Sequence, residues 1–393
     1  MKILQINKYF YLKGGAERYY FDLCALLEKN GHEIIHFSQA DSNNFYSAYS
    51  SFFPKTKYRF FWSWETARKL EVLIKKNKPD IAHVHLIYHH LTPSILAVLK
   101  KYKIPVVMTV HDYKLICPNY SLYTQGAPCE RCCQHKYYQC AAHRCIKDSY
   151  IKSGLVALEM YGHKIFKSYE KNINIFIAPS EFAKAELIKF GLSENKIKVI
   201  NHFANVNHAD TPAKTGDYLL YFGRIADNKG LDKLLHALYI SKLSCKLKIA
   251  GSGPYLSEIR KLIIDYHLNN VELLGHLNTA ELNKQIAGAM AIVVPSVVWE
   301  TFGLTVLEAY AQNKIVIAHQ SGALPEIVKE GETGYLYASE NELIEKIKLV
   351  INNKEKLINL GSNAKKLLQT KYNPENHYQQ QLAVYRGLWP DQS

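Results

Sequence analysis

The sequence predicts an α/β protein of two doubly wound domains in tandem, and three observations carry that expectation. Short β-rich runs alternate with amphipathic helical patterns throughout, the order that builds a parallel sheet wrapped by helices. The alternation stops at one polar stretch, Asn205–Gly216, and then restarts. At 393 residues the chain is also too long for one ordinary core and suits two of roughly 200 residues.

In the first half the strand-like runs are Ile3–Ile6, Ile34–Phe37, Ile81–Val84, Pro105–Val110 and Ile175–Ile177. Between them, apolar residues at helical spacing mark Ala16–Lys29, Trp64–Lys76, Pro93–Tyr102, Ile151–Tyr169 and Glu181–Phe190. The second set of strands is Tyr218–Phe222, Leu247–Ala250, Val271–Leu274, Ala291–Val294, Ile315–Ala318 and Tyr335–Tyr337. The expected division is therefore residues 1–204, a linker at 205–216, and residues 217–372. A last helix over 373–393 is expected to cross back onto the first domain. In each domain the binding edge lies at the carboxyl ends of the strands.

A hydrophobic content of 48% with 21% charged residues excludes a disordered chain. No run of 18 apolar residues occurs and the N-terminus enters a strand, so the expectation is a cytoplasmic protein without a signal peptide or membrane span. The net charge of +14 is uneven: residues 1–205 hold 29 basic and 16 acidic side chains, the remainder 20 and 19. The first half thus suits an anionic partner such as a phospholipid surface, a lipid phosphate or nucleic acid.

Two segments of the second half carry chemistry. Tyr221–Gly230 (YFGRIADNKG) ends a strand in Gly223 and places Arg224 and Lys229 on a short loop that opens a helix. Fixed cations at a helix N-terminus are what a departing diphosphate needs as its charge grows. Val294–Tyr310 (VPSVVWETFGLTVLEAY) puts Glu300 in a loop, a helix N-terminus at Phe302, Gly303 and Leu304, and Glu308 further into that helix. Amides near Gly303 can hold a phosphate, and Glu308 can accept bonds from two vicinal hydroxyls such as those of a ribose. Either glutamate alone would equally suit a partner of the helix dipole.

With Ile249–Pro254 (IAGSGP), Leu274–Leu277 (LGHL), Gly14–Glu17 (GGAE) and His111–Asp112, these segments resemble glycosyltransferase family 4 almost end to end. The resemblance implies the GT-B fold, two Rossmann-like domains facing a cleft, and transfer of a hexose or related sugar from a nucleotide-diphosphate donor with retention of configuration. It implies that Arg224 and Lys229 bind the diphosphate, that Gly253, His276 and Leu277 frame the base, and that Glu308 holds the ribose. Glu300, Phe302, Gly303 and Leu304 would meet the sugar and phosphates, and Gly15 would close over the diphosphate from the first domain. His111, ending the strand Ile104–Val110, would orient the sugar near the reacting carbon, with Asp112 and Glu17 on the acceptor side. Front-face attack assisted by the departing phosphate is the implied route, UDP-sugars being the more frequent donors in such families.

No Asp-x-Asp pair occurs, so no catalytic metal and no cofactor are expected; Arg224, Lys229 and helix dipoles would stand in for the ion. Six of the eight cysteines fall in an insert at 117–145: Cys117, Cys129, Cys132, Cys133, Cys140 and Cys145. They read either as ligands of a structural zinc or as buried, unligated thiols. Phe45–Trp64 interleaves ten aromatic residues with Lys55, Lys57 and Arg59, which suits a lipid interface or a core, and the helix Ile151–Tyr169 adds a second basic amphipathic surface. The expected partners are a nucleotide-sugar, a glycan or lipid-linked glycan acceptor of O-antigen, capsule or similar polysaccharide assembly, and the inner face of the cell membrane. A soluble acceptor is the alternative. A basic nucleic-acid-binding protein is the alternative of another class, and it leaves Glu300 and Glu308 unexplained.

Overall fold

Parallel strands covered by helices on both faces are buried on both faces, which is why the strands here are near-continuous apolar runs. The computed structural model describes residues 1–38, 61–204 and 216–389. Residues 205–215 of the expected linker 205–216 and residues 45–60 of the aromatic stretch lie outside them. Of the rest of that stretch, Phe61 and Trp62 are half-buried and Trp64 is exposed.

The chain divides into two units, Met1–Leu122 with Cys129–Asn201 and His377–Ser393, and Tyr123–Pro128 with His202–Asn376. In chain order the first half contains β1 (Lys2–Ile6), α1 (Gly15–Lys29), β2 (Glu33–Phe37), α2 (Trp64–Asn77), β3 (Ile81–Val84), α3 (Ser94–Lys101) and β4 (Val106–Thr109). The insert follows with the strands β5 (Tyr123–Thr124) and β6 (Ala127–Pro128) and the short helix α4 (Tyr138–Ala142). Then come α5 (Tyr150–Ile165), β7 (Ile175–Ala178), α6 (Glu181–Lys189) and β8 (Ile197–Val199). The first sheet has the order β2-β1-β3-β4-β7-β8, all parallel, with Ile3 opposite both Ile34 and Ile81. The insert is not all in the first unit: its small hairpin β5–β6 pairs only with itself and groups with the second.

The second half runs β9 (Tyr218–Phe222), α7 (Leu231–Ser241), β10 (Lys246–Ala250), α8 (Leu256–Asp265), β11 (Val271–Gly275), α9 (Thr279–Gly288) and β12 (Ala291–Val294). It continues with α10 (Leu304–Ala311), β13 (Val316–His319), α11 (Leu324–Ile327), β14 (Gly334–Tyr337), α12 (Glu340–Asn352), α13 (Lys354–Lys371) and α14 (Pro374–Leu388). The sheet order is β11-β10-β9-β12-β13-β14, again parallel. Alternation along β9 splits its core in two: Leu219 and Tyr221 pack with Leu234 and Leu235, while Leu220 and Phe222 pack with Val306 and Tyr310. Helix starts follow the expected chemistry, with Ser63, Ser149, Ser180 and Ser339 accepting from the backbone of the first turn and Asn278 forming a capping box with Glu281.

From His377 onward, α14 belongs to the first unit. The Tyr385 hydroxyl lies 2.6 Å from His83 Nδ1, and His377 Nε2 lies 3.1 Å from the Tyr19 hydroxyl. In each sheet the strand order reverses once, between β1 and β3 in the first and between β9 and β12 in the second. Doubly wound sheets open their binding crevices at such points.

Candidate functional site

In the second unit, backbone hydrogen bonds stitch the loops leaving the strands into one edge. Gly223 N donates to Ala250 O, Ile225 N to Ser252 O, and Gly251 N to Gly275 O, which ties β9, β10 and β11. Val297 and Val298 both donate to Asn228 O across the switch point, and Ala323 N donates to Glu300 O. Gly230 fits this joint because its φ is +66° and a Cβ there would lie 2.0 Å from Pro295 O.

On that edge Lys229 Nζ donates to Glu300 Oε1 at 2.5 Å, and Ser296 donates to the same oxygen at 2.6 Å. Burial alone would raise the Glu300 carboxyl; the ammonium beside it and these hydrogen bonds outweigh that, holding the group below the usual carboxylate range. The expected diphosphate cation and the expected sugar-facing carboxylate are thus partners. Arg224, on the same loop, is exposed, and its carbonyl accepts from the Tyr221 hydroxyl at 2.7 Å.

Gly303 caps α10, which carries half-buried Glu308, and Leu304 is half-buried. The Phe302 side chain is 2% exposed, with its ring 5.1 Å from that of His202 and 5.9 Å from that of Tyr372, while its residue still leads into the helix start at Gly303. A large ring beside an apolar helix start gains more from the core than from water. Gly253 lies in the β10–α8 loop, and His276 and Leu277 follow β11, exposed and half-buried respectively. Sequence reasoning overlooked Gly322, whose φ is +58° and whose Cβ would come within 2.4 Å of Glu300 N. The Gly-Ala-Leu-Pro run just after β13 was the available signal.

In the first unit His111 and Asp112 follow β4, and Gly15 opens α1. Burial pushes His111 down to about 3, so the ring is neutral near pH 7. His111 Nε2 sits 2.9 Å from His85 Nδ1, and His85 Nε2 sits 2.9 Å from Gln5 Oε1. The three side chains thus form one buried hydrogen-bonded row, Gln5–His85–His111. Tyr19 packs edge-on at 5.3 Å from His111, and His83 stacks on His85 at 4.4 Å.

Burial raises Asp112 to about 6, against the backbone hydrogen bond from Lys114 and the charges of Lys114 and Lys8. Burial likewise raises buried Glu17. Lys8, also missed from the sequence, is lowered to about 8 by burial and by Lys13. Asp112 Oδ1 accepts from Lys114 N at 3.0 Å, and the Lys114 ammonium lies 2.7 Å from Glu159 on α5, with both side chains 2% exposed.

The insert cysteines are free thiols, of which Cys117, Cys132 and Cys140 are buried. Among the described residues no group of three or more His, Cys, Asp or Glu is gathered as a metal would require. Cys140 hydrogen-bonds Cys145, and Cys117 and Cys132 lie close enough to Cys129 and Cys145 for their charges to act on one another.

The family model for Glycosyltransferase Family 4 matches residues 13–208, and that for Glycosyl transferases group 1 matches residues 205–367. The chain is a glycosyltransferase of family 4, an enzyme of class EC 2.4 with the GT-B fold. It is 25% identical to an uncharacterized 42.6 kDa protein in the cps region of Klebsiella pneumoniae, over 83% of this chain and 87% of that one. It is 29% identical to the lipopolysaccharide 1,2-N-acetylglucosaminetransferase of Salmonella typhimurium, over 56% of this chain and 64% of that one. Among solved structures it is similar to HepE of Anabaena in complex with UDP-glucose, with a TM-score of 0.70 at 18% identity over 98% of this chain and 100% of that one. The enzyme is thus related to enzymes of lipopolysaccharide and polysaccharide biosynthesis. No described helix is long and apolar enough to cross a membrane.

Proposed function

We propose that the enzyme transfers a hexose from a UDP-sugar, with retention of configuration, to a lipid-linked glycan at the inner face of the cell membrane. The observation that carries the reading is the Lys229–Glu300 pair at the switch point of the second sheet, beside the helix that bears Glu308. There the ammonium meets the leaving diphosphate, amides at Gly303 support it, and Glu308 holds the ribose. The HepE complex with UDP-glucose supports this donor class. Neutral His111 orients the sugar as positive charge develops at the reacting carbon. The diphosphate departs first and the acceptor hydroxyl follows on the same face, giving its proton to the departing phosphate. Arg224, Lys229 and helix dipoles do the work that a divalent ion does elsewhere.

The test is a panel of UDP- and GDP-sugars with a lipid-diphosphate acceptor, read by mass spectrometry with EDTA throughout. UDP-sugar consumption is expected; turnover restored only by Mg²⁺ would overturn the metal-free reading, and turnover only with GDP-sugars would overturn the donor. Glu308→Ala weakens UDP binding by ~10- to 150-fold in calorimetry, because charge-assisted bonds of about 1.5–3 kcal/mol are lost. An unchanged Kd would remove Glu308 from the site.

A further inference from the structure

Helix α5 has two unlike faces. Its buried side carries Val156, Ala157, Glu159, Met160 and His163. The other side presents Ile151, Leu155, Leu158 and Ile165, continued by Phe166, at 75, 42, 62, 74 and 75% exposure. At 3.6 residues per turn these positions share an arc of about 100° and a strip roughly 20 Å long. Single exposed apolar residues need no explanation, but a contiguous strip of five does.

The strip is set in positive charge. Residues 136–171 contain Lys136, Arg144, Lys147, Lys152, Lys164, Lys167 and Lys171 against three acids, Asp148, Glu159 and Glu170. All three acids are engaged locally: Glu159 by buried Lys114, Glu170 by Lys164 at 2.7 Å, and Asp148 by Arg144 at 3.3 Å. An isologous dimer through this face would press the basic rim against itself. An anionic surface with an apolar layer beneath it complements both rim and strip.

We infer that α5 is the face by which this enzyme seats on a bilayer containing anionic phospholipid. The apolar strip enters the boundary between headgroups and acyl chains, and the lysines lie among the headgroups. The inference rests on the membrane-linked acceptor proposed above and deepens it by naming the surface.

Sedimentation of the full chain with vesicles of phosphatidylethanolamine and phosphatidylglycerol, at low and high salt, tests it. Wild type is expected to bind, to weaken as salt rises, and to keep a salt-resistant remainder. Leu155→Gln/Leu158→Gln/Ile165→Gln is expected to lose that remainder and weaken binding at least about tenfold, with melting temperature and UDP affinity unchanged. Lys147→Gln/Lys152→Gln/Lys167→Gln is expected to lose the salt-sensitive part instead. If wild type binds and the glutamine triple binds equally well, the face is wrong although the membrane reading stands. If wild type ignores the vesicles, both are wrong. A triple variant that melts earlier would mean that the strip is covered by the protein's own chain. One that turns a dimer into a monomer in light scattering would assign the strip to a second copy.

Discussion

Replacing Lys229 with alanine lowers kcat by about 10²- to 10³-fold while the KM for the donor moves only a few-fold. The ammonium is already held by Glu300 at 2.5 Å, so it needs no reorganisation when the diphosphate gains charge. Its benefit is therefore greatest in the transition state. Glu300→Gln leaves the lysine in place with a weaker anchor and is expected to cost less. Steady-state kinetics on both variants decide the point: a Lys229→Ala enzyme with unchanged kcat and a raised KM would make the cation a uniform binder. Arg224→Ala follows the same pattern with a smaller effect, because its side chain is exposed.

Lys114→Met destabilises the first unit by about 3–5 kcal/mol, because it strands the Glu159 carboxylate in the interior. At roughly 2–4 °C per kcal/mol, thermal melting should fall by on the order of 10 °C. The double variant Lys114→Met/Glu159→Leu removes both charges and should recover most of the loss. A single variant that melts like wild type would show that the pair contributes nothing net. Burial alone would raise Glu159, but the Lys114 charge, His163 and His89 bring it down to about 2. Its contribution is therefore complete above pH ~4.5 and is lost as pH falls through about 2. The buried histidines act earlier. His111 and His89 lie near 3 and His377 near 4, all lowered first by burial, so the unfolded chain binds more protons than the folded one below pH ~6.5. Stability measured by urea titration should fall steadily from pH 6.5 to 4, before Glu159 titrates.

Strands such as Ala291–Val294 and the βαβ order were legible because a strand buried on both faces must be apolar throughout. The site loops of the second unit were legible because glycine and cations at a strand end have few other uses, and there the expected Lys229 and Glu300 meet. The three-residue β8 is too short to show against the lysines around it. What joins distant positions could not be read. Gln5 and His85 are 80 residues apart, and Lys114 and Glu159 are 45 apart, with nothing local to announce either pair. Phe302 shows a related limit: a motif names a position, while packing decides whether its backbone or its side chain is on offer. For α5 the amphipathic pattern was visible, but the pattern alone does not say which stripe faces water.

The return of α14 has a consequence for how the protein is made. Tyr385 and Gln381 are fully buried in the first unit, where Tyr385 meets His83, yet they are translated only after the second unit's run to Asn376. The intervening segment His202–Asn376 is 175 residues, which at 5–20 residues per second takes roughly 9–35 s to synthesise. Through that interval the nascent first unit carries an unfilled groove, with His83 bonded to Thr109 but lacking Tyr385 at Nδ1. The half that emerges first from the ribosome thus completes its core only after the second half has been made.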